Sequence, residues 1–174
     1  MGAAQPWFKH WDGMAHTGKQ PVDALRSLNS DEATFVKFVN QTPRTARPWW
    51  INFNAFPQNY DDIPPGGTLE MRTYRTHPWV FRDASTGDEL LINKDEIYFP
   101  TSAQYEDDEP VYIPVYITVP VFSLKDCCLQ CVRKQVKLED YTKLELPQSL
   151  HDDLKNSPRL LRELENLRMR YRNS

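Results

Sequence analysis

Residues 111–135 read VYIPVYITVPVFSLKDCCLQCVRKQ, and the character of the sequence changes in the middle of this stretch. Up to Phe122 the residues are mostly Val, Ile and Tyr, which favour β-strands. From Ser123 onward the apolar and thiol residues recur at the spacing of one face of a helix. The residues of this helical stripe are Leu124, Cys128, Cys131, Val132 and Gln135. The sequence therefore predicts a β part that ends near residue 120 and a helical part that follows it.

The chain before this point carries the signs of several short strands. Segments rich in β-branched and aromatic residues alternate with clusters of Gly, Pro, Asn and Asp that form turns. Four of these segments are ATFVKFV (33–39), TLEMRTYR (68–75), PWVFRDA (78–84) and LLINKDEIYF (90–99). About seven such strands, at spacings of roughly 8–12 residues, indicate a β-sandwich. Pro114 and Pro120 predict an edge position or a bulge for the last strand.

Three helical stretches are predicted after the strands. The first begins at Ser123, a plausible N-cap, with Asp126 placed to complete a capping box. The second spans about 139–155, where Pro147 should sit in the first turn or break the helix. The third opens with Pro158 and runs to about residue 171. Its apolar residues are Leu160, Leu164, Leu167 and Tyr171.

The predicted fold class is α+β, a seven-stranded β-sandwich followed by a small three-helix α domain. We assign residues 1–30 to an N-terminal tail, 31–120 to the β-sandwich and 121–174 to the helical domain. Three short helices make a small core by themselves, so we expect two or more of their apolar faces to need an outside partner. This inference from the residues alone indicates an adaptor.

The composition excludes several classes of protein. The 174 residues carry a net charge of −3, so we expect no nucleic acid as a partner. No apolar run approaches the length of a membrane span, and the N-terminus lacks the pattern of a signal peptide. All three cysteines fall within five residues, which indicates a reducing compartment rather than a disulfide framework. We therefore expect a protein of the cytosol and nucleus.

The cysteine cluster leaves an alternative open. Cys127, Cys128 and Cys131 contain a CxxC spacing, which is found in zinc and redox sites. The four His residues are spread along the chain, so no second cluster supplies the other zinc ligands. A cysteine in a helical stripe is more often a small buried apolar residue. We expect no metal site here.

An enzymatic site in this sequence could be built on His77, paired with Asp83, Asp61 or Asp62. The sequence contains no nucleophile elbow, no zinc-protease motif and no phosphate-binding glycine loop. A single His beside aromatic residues more often serves as a hydrogen-bonding group than as a general base. We therefore expect a protein that is not an enzyme and needs no cofactor.

A third group of residues is aromatic and lies on neighbouring predicted strands. Its members are Trp50, Tyr60, Tyr74 and Trp79, interleaved with Thr73 and His77. If the strands are adjacent, these side chains can converge on one exposed site. Composition alone leaves a second interpretation equally open, in which the rings fill the core of the sandwich.

Several stretches resemble the von Hippel–Lindau tumour suppressor protein family. They are LRSLNS (25–30), WINF (50–53), PPGG (64–67), TYRTHPWVFRDA (73–84), VPVFSLKDCCLQ (119–130) and NSPRLLRELENL (156–167). The resemblance runs from about residue 24 to about residue 170, with matching order and spacing. No single piece is a short generic motif, so the resemblance is specific.

The resemblance implies a non-catalytic substrate-recognition subunit of a cullin-based E3 ubiquitin ligase. Such a subunit binds hypoxia-inducible factor α once a proline of that protein has been hydroxylated, which leads to ubiquitination and proteasomal degradation. The implied hydroxyproline pocket consists of Trp50, Tyr60, Thr73, His77 and Trp79, with Asn29 and Tyr74 at its rim. A β-sandwich adaptor for cytoskeletal or matrix partners, without hydroxyproline dependence, is the alternative.

The resemblance also implies partners for the helical part. The family's Elongin C motif matches Ser123, Leu124 and Cys128, and Val132 and Arg133 continue that surface. Elongin C brings Elongin B, and the assembly recruits a cullin with its RING subunit. The chain departs from the family at four positions that bear on binding. They are Thr73 in place of Ser, Arg72 in place of His, Asp31 in place of Arg, and Leu138 in place of a Pro in the cullin-binding stretch.

Overall fold

A computed structural model describes residues 25–172 of the chain, with side chains through residue 170. Most of the predicted tail and the side chain of Tyr171 lie outside the described residues. Residues 25–30, which the sequence assigned to the tail, lie against the rest of the protein. Leu25 is buried, and the backbone N–H of Ser27 donates to the carbonyl of Ile51 at 3.1 Å.

Within residues 25–172, nine strands make up the β part, and seven of them form one curled sheet. The strands are β1 Ala33–Asn40, β2 Ala46–Ile51, β3 Pro57–Asn59, β4 Thr68–Tyr74, β5 Trp79–Asp83, β6 Glu89–Ile92, β7 Gln104–Glu106, β8 Glu109–Val111 and β9 Ile113–Thr118. Their order in the main sheet is β3-β2-β5-β6-β9-β1-β4, with β1 and β9 parallel and the other pairs antiparallel. Strands β7 and β8 form a separate hairpin.

The inner face of the curled sheet holds the main core. Side chains alternate between buried and partly buried along β1, as expected for a strand with one face on a core. The ring of Phe38 packs against Trp79 at 5.4 Å and against Phe81 at 5.0 Å between centroids. Val115 and Ile117 of β9 complete the opposite wall. Aromatic rings in edge and tilted contact therefore fill much of the sandwich.

Strand β9 lies inside the sheet, between β6 and β1, so the edge position predicted from its prolines is wrong. The physical reason is local. Strand β6 pairs only with Ile117 and Thr118, whereas Pro114 lies beside β1 alone. A residue without an N–H is tolerated where one side of the strand has no partner. Pro120 follows the end of the strand.

In the part of the chain that the structure describes, three α-helices and one 3₁₀ helix follow the strands, and the predicted α+β class is confirmed. They are α1 Leu124–Gln135, the 3₁₀ helix Leu138–Lys143, α2 Gln148–Lys155 and α3 Leu160–Arg172. The capping box is present, since Ser123 Oγ accepts from the N–H of Asp126 at 3.1 Å and the Asp126 carboxylate accepts in return. Pro147 divides the second predicted helix by standing immediately before α2.

Helix α1, the 3₁₀ helix and α2 share a small core of their own. Its buried side chains are Leu129, Tyr141 and Leu154. Arg133 of α1 reaches the end of α2, where it donates to the carbonyls of Asp153 at 2.6 Å and Leu154 at 3.3 Å. A cation at these carbonyls also complements the negative end of the α2 dipole.

Helix α3 packs on the outer face of the sheet. Leu164 and Leu167 are buried against Leu25, Ile51 and Val80. The sequence predicted that some apolar helical faces need a surface to cover them. For α3 that surface is the sheet of the same chain. None of the described helices is long and apolar enough to span a bilayer.

Two arginines of the β domain hold the helical part. Arg44 binds Asp88 at 3.0 Å and also donates to the side chain of Gln130 on α1 at 2.8 Å. The second arginine is Arg82, which is buried and binds Glu163 on α3 at 2.8 Å. Breaking such a buried pair leaves an uncompensated charge, so these contacts fix how the helices sit on the sheet.

Candidate functional site

The strands bring the predicted aromatic group together at one end of the sandwich. Trp50 on β2 lies directly across from Trp79 on β5. The His77 ring stacks on Trp50 at 4.8 Å and lies 4.9 Å from the ring of Tyr74. The ring of Tyr60 contacts Trp79 edge-on at 5.0 Å. We call the surface formed by Trp50, Tyr60, Thr73, Tyr74, His77 and Trp79 the aromatic cleft.

Ser27 fixes the orientation of Trp50. The indole Nε1 donates to Ser27 Oγ at 2.6 Å, and that hydroxyl donates to the carbonyl of Ile51 at 2.7 Å. The polar edge of the indole is thereby satisfied inside the protein, and its face is left to stack on His77. Sequence reasoning missed Ser27, because only the pairing of residues 25–30 with β2 reveals its role.

Thr73 and Trp79 form the floor of the aromatic cleft. The Trp79 Nε1 donates to Thr73 Oγ1 at 3.1 Å, and each residue is only 2% exposed. A hydroxyl both donates and accepts, so this bond leaves the Thr73 hydroxyl hydrogen for another acceptor. The inward orientation of Thr73 follows from β4, where the side chains of Leu69, Met71 and Thr73 share the inner face.

His77 is 5% exposed and stands among aromatic rings. Burial lowers the pKa of its imidazole below the ordinary value, and a hydrogen bond from the imidazole to the backbone carbonyl of Asn29 offsets this only in part. The ring is therefore neutral near pH 7, with one nitrogen as donor and the other as acceptor. Its Nε2 lies 3.5 Å from Ser30 Oγ, at the limit of a hydrogen bond.

The rim of the aromatic cleft is more open. Tyr60 is 37% exposed, and burial of the rest of its side chain raises the pKa of the phenol, which keeps the hydroxyl protonated. Asn29 lies beside Thr76, whose hydroxyl donates to the Asn29 carbonyl at 2.8 Å. The guanidinium of Arg72 lies over the ring of Tyr74 at 5.7 Å. These residues surround the mouth of the cleft rather than its floor.

Phe53 is a wall of the aromatic cleft that sequence reasoning missed. Its ring meets Trp50 edge-on at 5.6 Å and His77 at 5.4 Å. Regular strand alternation would put Phe53, three residues after Trp50, on the opposite face. The strand ends at Ile51, and the turn that follows rotates Phe53 toward the cleft.

The turn that carries Phe53 is held from several sides. Asn52 Oδ1 accepts from the N–H of Asn54 at 2.9 Å, and Ala55 adopts a positive φ of 62°. Arg168 of α3 donates to the carbonyl of Ala55, and Arg26 donates to the carbonyl of Phe53 at 3.3 Å. A helix that lies far away in sequence therefore supports one wall of the aromatic cleft.

Two of the three carboxylates that an enzymatic site could pair with His77, Asp83 and Asp62, are engaged elsewhere. Asp83 accepts from the Ser85 hydroxyl at 2.7 Å and from Arg44 at 3.3 Å. Asp62 binds Arg47 in a bidentate pair with both distances 2.7 Å. Among residues 25–172, no group of three or more His, Cys, Asp or Glu side chains is arranged to hold a metal ion.

A second surface lies on α1, away from the aromatic cleft. Leu124 is 81% exposed, and all three cysteines are exposed as free thiols. We call Leu124, Cys127, Cys128 and Cys131 the docking stripe. Because these residues are spaced by three or four positions, they lie on adjoining positions of one helical face. The expectation that the cysteines are buried within the chain is therefore wrong.

Two residues predicted for the same surface turn away from it. Val132 is half-buried against the core of Leu129, Tyr141 and Leu154. Arg133 donates to the carbonyls at the end of α2. The structure thus joins Ser123, Leu124 and Cys128 at the exposed face and places Val132 and Arg133 in the contact between helices.

The fold and the site define an α+β protein with an aromatic cleft on its β domain and an exposed stripe on the first helix that follows it. The VHL beta domain model matches residues 25–106, and the VHL box domain model matches residues 122–170. The two matches cover most of the chain, and the chain belongs to the von Hippel–Lindau family. The pairing of these domains supports a role as the substrate receptor of a ubiquitin ligase.

A curated relative agrees with this assignment. The chain is similar to Protein Vhl of Drosophila melanogaster, with 29% identity over 122 residues. The aligned region covers 64% of this chain and 68% of the Drosophila protein. The similarity therefore extends over a large share of both proteins.

Proposed function

We propose that this chain is the substrate-recognition subunit of a cullin–RING E3 ubiquitin ligase complex. In this proposal the aromatic cleft binds a segment of hypoxia-inducible factor α that carries a hydroxylated proline. Binding commits the bound protein to ubiquitination and proteasomal degradation, and it links the chain to the hypoxia response. The observation that carries the proposal is the pair of buried polar side chains, Thr73 and His77, in an otherwise aromatic cleft.

The chemistry of hydroxyproline fits this combination. A pyrrolidine ring is apolar and packs well between the faces and edges of aromatic rings such as Trp50, Tyr60 and Trp79. Its added hydroxyl needs both a donor and an acceptor inside the cleft. The neutral imidazole of His77 offers either, and the Thr73 hydroxyl retains a hydrogen to donate.

Selectivity against plain proline follows from the cost of unpaired polar groups. A proline without the hydroxyl would cover Thr73 and His77 and leave them without the partner that hydroxyproline supplies. Each unsatisfied buried group costs roughly 1–3 kcal/mol. Losing one or both bonds therefore weakens binding on the order of 10- to 10⁴-fold.

In this proposal the backbone of the bound peptide lies along an edge strand beside the aromatic cleft. Strand β4 is at the edge of the main sheet, and it ends at Thr73 and Tyr74. An extended peptide along a sheet edge gains main-chain hydrogen bonds while alternate side chains enter pockets. The rim residues Asn29 and Tyr74 lie at the end of this path.

The second part of the proposal is that the docking stripe binds the rest of the ligase. An exposed Leu124 with Cys128 one turn later presents the kind of face that enters an apolar groove on a partner. We infer that this partner is Elongin C, carrying Elongin B, and that the assembly recruits a cullin and its RING subunit. The chain would then bring substrate close to the ubiquitin-loaded enzyme, in the cytosol and nucleus.

The test uses two synthetic peptides from a degradation segment of hypoxia-inducible factor α. One carries 4-hydroxyproline and the other plain proline, and calorimetry measures each against the chain purified with Elongin B and Elongin C. We expect at least tenfold tighter binding of the hydroxylated peptide. The preference should disappear in His77→Ala and persist in His151→Ala, whose histidine is on α2, far from β4 and β5 in the chain.

Equal binding of the two peptides, or no binding of either, would remove the substrate assignment. The docking stripe would be unaffected by that result. A β-sandwich adaptor for a cytoskeletal or matrix partner would then be the better proposal.

A further inference from the structure

All the cysteines of the chain stand on the docking stripe. The sequence contains three, at positions 127, 128 and 131, and each is an exposed free thiol. The opposite side of α1 is covered, since Leu129 and Gln130 are buried. The thiols are therefore the one group of nucleophilic sulfurs in this protein, and they occupy the face that is left for a partner.

Cys128 and Cys131 are three residues apart in a regular α-helix. At this spacing the two Cβ atoms are roughly 5–6 Å apart. A disulfide needs Cβ atoms about 3.5–4.5 Å apart, so the helix must deform for the two sulfurs to join. Cys131 is further tied to the regular helix by the side-chain amide of Gln135, which lies 3.2 Å from its Sγ.

We propose that Cys128 and Cys131 form a peroxide-oxidation site that switches docking off. The proposal rests on the proposed function, since docking is the activity that is switched. In the reduced state α1 is straight, and Leu124 and Cys128 share one face. In the oxidised state the disulfide pulls the second and third turns out of helical geometry, and the stripe no longer fits a groove shaped for a helix.

The chemistry balances with hydrogen peroxide as the oxidant. One cysteine ionises, its thiolate attacks a peroxide oxygen and the O–O bond breaks; the leaving hydroxide takes up the proton that the thiol released, which gives a sulfenic acid and one water. The thiol of the other cysteine then attacks the sulfenic sulfur, an S–S bond forms, and a second water leaves. Two thiols lose two electrons and two protons in total, and peroxide is reduced to two waters.

Docking and oxidation oppose each other through linkage. A partner that binds only the reduced helix also covers the thiols, so the bound protein resists oxidation. A tenfold preference for the reduced form raises the reduction potential of the pair in the complex by about 30 mV. The site would thereby report on peroxide chiefly when the chain is not assembled.

The first experiment needs no partner. The whole chain is treated with stoichiometric hydrogen peroxide, and peptide mapping by mass spectrometry locates any disulfide while far-UV circular dichroism follows helix content. We expect a Cys128–Cys131 disulfide and a loss of helix signal, both reversed by dithiothreitol. Oxidation without a disulfide between these two residues, or with an unchanged helix signal, would overturn the proposal.

The second experiment measures affinity for purified Elongin B–Elongin C before and after oxidation. We expect at least a tenfold weaker affinity for the oxidised chain. Each variant is compared with its own reduced form, so changes in basal affinity cancel. Cys131→Ser should bring the ratio near one, and Cys127→Ser should keep it at tenfold or more. A ratio near one for the wild-type chain with the disulfide in place would disprove the switch.

The two experiments separate failure of the switch from failure of the proposed function. A reduced chain that does not bind Elongin B–Elongin C contradicts the proposed partner. In that case the disulfide and the loss of helix in the isolated chain decide whether the oxidation site exists.

Discussion

At the scale of single residues, the proposed selectivity of the aromatic cleft depends on two side chains that are both buried and polar. Thr73 already accepts from Trp79, and His77 is neutral because burial lowers the pKa of its ring. Each therefore has a hydrogen-bonding capacity that the protein itself leaves partly unused. A buried group of this kind makes a ligand with a hydroxyl bind more tightly than one without it, because the second ligand leaves the group unpaired.

Replacing Thr73 by Val tests this directly, because the two side chains have similar shapes. The variant leaves the Trp79 N–H without its acceptor, so we expect the free energy of unfolding to fall by about 1–3 kcal/mol. Affinity for the hydroxylated peptide should fall about tenfold or more, whereas affinity for the plain peptide should stay the same or rise, because valine leaves no hydroxyl unpaired beneath it. Denaturant titration and calorimetry measure the two effects.

The matched control is Thr73→Ser, which keeps the hydroxyl and removes one methyl group. It should retain the preference for hydroxylated peptide and lose roughly 1 kcal/mol of stability. If Thr73→Val bound the hydroxylated peptide as tightly as Thr73→Ser, the Thr73 hydroxyl would have no part in recognition.

Burial of His77 should make the free energy of unfolding depend on pH. Its pKa is lowered in the folded protein from the ordinary value of 6.5, so the unfolded chain takes up a proton first as the pH falls. The free energy of unfolding should be insensitive to this group above pH 6.5 and decrease as the pH falls below it. Denaturant titrations of the wild-type chain and His77→Gln at pH 7.5, 6.5 and 5.5 measure the difference. Parallel curves for the two proteins would show that burial of His77 does not shift its pKa.

At this scale the sequence predicted the members of the aromatic cleft better than its supports. Trp50, Thr73 and Trp79 lie on strands that alternation places correctly, and the family resemblance singled them out. Ser27 and Phe53 were missed because their roles depend on how residues 25–30 and the turn after β2 fold back. Such contacts join positions that no local pattern connects.

At the scale of elements, α1 has one covered and one open face. Its exposed leucine should contribute to docking and little to stability. We expect Leu124→Arg to weaken binding to Elongin B–Elongin C by about 100-fold, because a buried leucine contributes roughly 2–3 kcal/mol and a charge would enter an apolar groove. The free energy of unfolding should change by less than about 0.5 kcal/mol.

A leucine of similar exposure on another helix is the control. Leu161 on α3 is 58% exposed, and Leu161→Arg should leave Elongin binding unchanged. Titration by surface plasmon resonance compares both variants with the wild-type chain. Equal losses in the two variants would point to a general effect of charge and against a specific stripe.

A substitution in helix α3 should change the affinity of the aromatic cleft rather than docking. Arg168 donates to the carbonyl of Ala55, in the turn that holds Phe53 against Trp50 and His77. We expect Arg168→Ala to weaken binding of the hydroxylated peptide several-fold and to leave Elongin binding intact. Arg168→Lys, which retains a donor, should recover part of the loss. Unchanged peptide affinity in Arg168→Ala would mean that the turn keeps its shape without α3.

Periodicity predicted the existence of these helices and the residues that share a face. It did not predict which face the rest of the chain covers. Val132 belongs to the predicted stripe by spacing, yet it is half-buried against the core that α1 shares with α2. The apolar residues of α3 were also recognised, and only the structure shows that they cover Ile51 and Val80 on the sheet.

At the scale of the whole molecule, the aromatic cleft and the docking stripe are held in one arrangement. Arg44 connects the β domain to α1, and Arg82 connects it to α3. Because these contacts are partly buried, the helical part is not a loosely tethered appendage. A ligand in the aromatic cleft would therefore stand at a defined position relative to whatever binds the docking stripe.

One measurement tests directly whether the chain bridges these two partners. The hydroxylated and plain peptides are immobilised separately, and purified Elongin B–Elongin C is passed over each with and without the chain. We predict that Elongin C is retained only on the hydroxylated peptide and only when the chain is present, with Leu124→Arg and His77→Ala each abolishing retention. Equal retention on both peptides, or none on either, would contradict a receptor that joins a hydroxyproline segment to the ligase.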